Sequence, residues 1–140
     1  MEHRDIIADQ IEQMGKVLAY ILHDFLRLSG DVPVTQAMEE TDHRLQNELD
    51  LDPEKVIGLP EEQLMSYLSS RLKADSQLEQ LADFLLQTGM TVAPHDQNEA
   101  MRRLQRALEI YHTLELQTRT TSLDILAKKK KISEWLSESA

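Results

Sequence analysis

The chain predicts an all-α domain, an antiparallel array of about six helices, and three observations carry that prediction. Apolar residues recur at steps of three and four through most of the sequence, the spacing that lines one face of a helix. Leu, Glu, Gln and Ala dominate while Val and aromatic residues are scarce, and straight-chain residues lose little rotamer freedom in a helix. The periodic stretches end at Gly, Pro and Ser/Thr/Asp clusters, which are the residues that stop and cap helices. At 140 residues the chain suffices for one domain with its own core, taken as 1–140.

The first helix is predicted over 4–28. Ile7, Ile11, Met14, Leu18, Ile21, Phe25 and Leu28 alternate steps of four and three, and Ile6, Val17, Leu22 and Leu26 form a second row. Gly30 is expected to take a left-handed cap, and Pro33 opens the next helix, 34–49, with Val34, Ala37, Met38, Thr41, Leu45 and Leu49 on one side. A connection with a single helical turn follows, Asp52 capping and Pro53 at the first helical position. Pro60 with Glu61 and Glu62 starts a helix to about residue 73, burying Leu64, Met65, Leu68 and Leu72. These elements make up an N-terminal part, 1–75.

Two amphipathic helices then form a hairpin, 76–118. The first carries Leu78, Leu81, Ala82, Leu85 and Leu86 and is expected to stop at Gly89. The second, from 97, carries Ala100, Met101, Leu104, Ala107, Leu108 and Tyr111, its small residues permitting a close helix contact. After Thr120, with Thr121 or Ser122 as cap, a C-terminal capping helix, 121–138, brings Leu123, Leu126, Ile132, Trp135 and Leu136.

This hairpin resembles a tetratricopeptide repeat: Leu78, Leu81, Ala82, Leu85 and Gly89 match the first helix of that family, and Ala100, Leu104 and Ala107 the second. Ala82 stands where the family carries Gly, the turn is longer and the closing Pro is missing. The segment 6–45 resembles a degenerate second copy. Taken whole, the chain resembles an uncharacterised bacterial family of small helical proteins, through its long first helix, the Leu59-Pro60-Glu61-Glu62 segment and the Ser122-Leu123-Asp124 start of its last helix. The resemblance implies a domain without catalytic residues to carry over.

Charge narrows the partners. The net charge is −10, with 18 acidic and 7 basic side chains up to residue 95 and near-balance beyond it. An acidic protein is a poor match for nucleic acid, whose phosphates need positive potential. The charges breaking the N-terminal apolar stretch exclude a membrane span or secretion signal there, so a cytoplasmic protein is expected. There is no cysteine, hence no disulfide, thiolate metal site or cysteine nucleophile.

The function expected is a non-catalytic interaction or assembly module that takes a partner helix or peptide. Leu104, Leu108 and Tyr111 would floor the groove, with Arg103 and Arg106 at its rim. Core burial is the better explanation for the two leucines. A homodimer through the N-terminal helix is a further partner, and no cofactor is expected. The alternative is a metal- or small-molecule-binding regulator using Glu39, Glu40 and His43, which helical spacing brings together. A solvated helix face is the better explanation of those three residues. His95-Asp96 reads chiefly as an N-cap, and the lysines at 128–131 as a solvated helix face.

Overall fold

A computed structural model describes the backbone of residues 2–139 and the side chains of residues 8–139. Among them are seven α-helices and no strand: α1 Glu2–Leu28, α2 Val34–Leu49, α3 Pro53–Gly58, α4 Glu61–Ser69, α5 Asp75–Val92, α6 Gln97–Thr118 and α7 Leu123–Ser139. The all-α prediction holds, α3 being the single turn expected in the connection. Ile6 and Ile7, which open the two predicted rows of α1, lie outside the described side chains.

α5 and α6 form the tightest pair, and α1 with α2 forms a second antiparallel hairpin. The two hairpins meet through α1 and α5, which run parallel: Met14 lies beside Gln77 at one end, and Phe25 clusters with Val92 at the other. Leu18, Ile21, Leu81, Phe84, Leu85, Leu104, Ala107, Ile110 and Tyr111 build the main core. A smaller apolar cluster of Phe25, Val34, Ala37, Met38 and Val92 closes the far end.

Gly89 does not end its helix. α5 continues to Val92, leaving a four-residue connection to α6. The glycine is buried in the α5–α6 contact, where a Cβ would fall 2.9 Å from Cγ and Cδ2 of Leu104. It is kept for close approach rather than for turning. Gly30 likewise keeps a negative φ, and the two left-handed residues are Asp50 and Arg119, both with φ 54°. Asp50 closes α2 in a Schellman-type cap: Leu51 N–H donates to the Leu45 carbonyl at 3.3 Å, and the Leu51 side chain is wholly buried. Arg119 closes α6 in the same conformation, which costs a residue with a Cβ about 1 kcal/mol.

α4 stops at Ser69, short of the predicted 73. Arg71 leaves the helical path to stack 3.9 Å above the Tyr67 ring and to donate to the Asp50 carbonyl at 2.8 Å. Leu72 is still buried, as predicted. No helix among the described residues is long and apolar enough to cross a membrane.

Candidate functional site

The residues singled out on α6 turn inward. Leu104 and Tyr111 are fully buried, Arg103 is 1% exposed, Arg106 is 6% exposed, and Leu108 is half-buried against the main core. They therefore form no solvent-facing groove with an arginine rim. Their chemistry is instead internal, and it begins at the helix start. Asp96 caps α6, its carboxylate accepting from Glu99 N–H at 3.1 Å, while His95 stays exposed.

One turn on, Arg103 joins three helices. Its Nε donates to Glu99 at 2.9 Å, Nη1 to the Thr88 hydroxyl at 3.2 Å on α5, and Nη2 to both oxygens of Asp42 at 3.1 and 3.2 Å on α2. One guanidinium thus serves two carboxylates. Burial pushes the Asp42 carboxyl above its usual range; Arg103 opposes that shift, and the nearby charges of Glu99 and Glu54 add to it.

Arg106 acts on α3. Its guanidinium donates to the carbonyls of Ile57 (3.0 Å from Nη2) and Leu59, and its Nη1 pairs with Glu109 at 2.9 Å. The final carbonyls of a short helix have no partners of their own, and a cation there satisfies them. Tyr111 donates to Asp83, which also accepts from Lys128 of α7 at 2.9 Å. Burial, then the Asp83 hydrogen bond, push the Tyr111 hydroxyl far above its ordinary range, so it stays protonated and donating. Among the described residues, no buried side-chain nitrogen or oxygen lacks a partner.

Glu39 and His43 line an open cleft of about 380 Å³ between α2 and α3, together with Asp42, Gln46 and Glu54. Glu40 lines a different cleft, beside Arg44 and Asp24, so the three predicted ligands do not converge. No group of three or more His, Asp or Glu able to hold a metal ion occurs among the described residues. Of the four consecutive lysines, Lys128 pairs with Asp83 and Asp124, Lys129 with Glu115 and Lys130 with Glu134, while Lys131 is exposed.

Two surface regions bring apolar groups to the solvent edge of the core. Between α1 and α5 runs a groove lined by Gly15, Leu18, Ala19, Leu22, Gln80, Asp83 and Phe84, with a volume of about 140 Å³. Helical spacing sets Leu26, 43% exposed, on the same flank of α1. The other region is the α6–α7 junction, where Leu116, Leu123 and Leu126 are exposed. Spacing alone had a signal for the buried arginine: Arg103 lies between Ala100 and Ala107 at steps of three and four, in the middle of the apolar face. Comparison with protein-family models, curated proteins and solved structures finds no match to this chain.

Proposed function

We propose that the chain is a non-catalytic interaction module in which the tetratricopeptide-like α5–α6 hairpin is the rigid scaffold and α1 presents the docking face. The observation that carries this reading is the α1–α5 groove. Gln80 lies over Gly15, but Ala19 beyond it leaves room for a helix to approach, while Leu22 and Leu26 give it apolar surface. The expected partner is an amphipathic helix with a basic polar face, since residues up to 95 carry most of the acidic excess and Asp83 lies in the groove itself. The arginines of α6 hold the scaffold rather than the partner.

Ala19 and Leu26 are exposed, so charging them leaves the core intact. Affinity capture from the native cell, run in parallel with the parent, Ala19→Arg and Leu26→Asp, tests the reading. Partners held by the parent and lost by both variants, at unchanged circular dichroism, support it; equal capture by all three refutes it.

A second reading, a regulator that takes a small cationic molecule, is favoured by the α2–α3 cleft and its Glu39, Asp42 and Glu54 carboxylates. A rise in melting temperature with such a ligand, abolished by Glu39→Gln, would support it.

A further inference from the structure

We infer that the α5–α6 face beneath α7 is a helix-binding surface which α7 holds in place of a partner, and that the partner is an amphipathic helix with the same basic pattern. This goes beyond the α1–α5 groove and concerns a separate surface, although Asp83 borders both. α7 itself shows what the surface selects. Ile125 and Ile132, seven residues apart, are its two buried side chains and join the main core. Between them, Lys128 pairs with Asp83 of α5 at 2.9 Å and lies 5.9 Å from the centre of the Tyr111 ring. Lys129 pairs with Glu115 of α6 at 2.5 Å. Trp135 and Leu136, half-buried, extend the apolar side. The pattern read by this face is therefore two aliphatic anchors with a pair of lysines between them, the anchors giving affinity and the carboxylates orientation.

α7 is an occupant that can leave rather than part of the frame. Its hold is thin, with two buried side chains in 17 residues against ten on α5 and eight on α6. It packs chiefly on α6 and is joined to it by the short connection 119–122, where Arg119 is left-handed. Its fit is also incomplete. A cleft of about 290 Å³ stays open where α7 begins, between Ile125 and the Ser76, Glu79, Leu114 and Thr118 side chains of the two helices beneath. A helix with a larger apolar residue at the place of Ile125 would fill that cleft and gain contacts that α7 lacks.

The tether favours the resident helix, holding it over the surface at an effective concentration on the order of 1 mM. A partner therefore prevails only by fitting better, and α7 works as an autoinhibitory contact that screens out weaker basic helices.

The test uses the full chain and labelled synthetic peptides of residues 121–139, followed by fluorescence anisotropy. Glu115→Lys in the chain repels Lys129, which loosens α7 and reverses one charge of the surface. This chain should bind a Lys129→Glu peptide several-fold more tightly than the parent-sequence peptide. Ile132→Ala in the chain weakens α7 and leaves the surface intact, so it should bind the parent-sequence peptide at least about tenfold more tightly than the parent chain does. Trp135 is the only tryptophan, and with Trp135→Phe in the peptides its emission follows α7 alone. Equal affinity of the Glu115→Lys chain for the two peptides overturns the inference. So does an Ile132→Ala chain that binds nothing at about 1 mM peptide, and that comparison stands even where Glu115→Lys fails to fold. Binding to the parent chain with no shift of Trp135 emission to longer wavelength overturns it as well, since the peptide would then sit elsewhere. Binding that appears only when a dimeric chain is diluted overturns it in favour of a second copy as the occupant.

Discussion

Two helices carry runs of like charge, and the fold treats them in opposite ways. On α6, Arg103 and Arg106 are buried, and their guanidinium groups meet acceptors on α2, α3 and α5 as well as on α6 itself. On α7, Lys128 and Lys129 are half-buried and pair with carboxylates of α5, α6 and α7, Lys130 pairs with Glu134 at the surface, and Lys131 is exposed. A guanidinium offers five donors in a fixed plane and can satisfy several acceptors at once. An ammonium is a strongly hydrated point charge that stays near water. The contrast separates a region where charge specifies how helices meet from one where charge only lightly holds a helix in place.

Substitutions sharpen that contrast, the largest effect first. Ala107 is fully buried on the inner face of α6, and Ala107→Glu would place an unpaired charge in the core. The expected loss exceeds about 4 kcal/mol, enough to abolish a cooperative melting transition. Arg103→Leu leaves Asp42, Glu99 and Thr88 without their donor and should cost about 3 kcal/mol in urea denaturation. An effect below 1 kcal/mol would put Arg103 in the same class as the lysines of α7.

Gly89→Ala comes next and tests a sign. Helix propensity alone would favour alanine by about 1 kcal/mol. The added Cβ meets Leu104, so the net change should instead be a loss of about 1–2 kcal/mol. Lys130→Ala should cost less than about 1 kcal/mol, as surface pairs do.

The smallest effect is in pH. Donation from Lys129, then from Thr121, holds the Glu115 carboxyl below its ordinary value of 4.5. A pKa lowered on folding gives stability that is present above the unfolded value and is lost as pH falls through the folded one. Glu115→Gln should therefore flatten the acid side of the stability profile below pH 4.5. Asp42, raised chiefly by burial, acts in the opposite sense: its contribution weakens as pH rises.

Helix positions were legible wherever apolar spacing and capping residues agreed. Asp52, Asp96 and Ser122 each accept the backbone N–H that their place in the sequence implied. The charged interior is hard to read because Arg103 and Arg106 look like surface residues until the acceptors on other helices are known, and two of these, Asp42 and Ile57, lie 61 and 49 positions away. Gly89 was misread for a related reason. A glycine late in a periodic stretch fits a helix end as well as a close helix contact, and only the placement of Leu104 separates the two. The left-handed turns at Asp50 and Arg119 carried no glycine to announce them.

The hold of Arg106 on the Ile57 and Leu59 carbonyls has a consequence for how the protein is made. On the ribosome, α3 emerges well before the side chain that closes its end, and Asp42 emerges before its cation. The nascent first half must then wait, its polar ends served by water, until the sixth helix clears the exit tunnel and locks it.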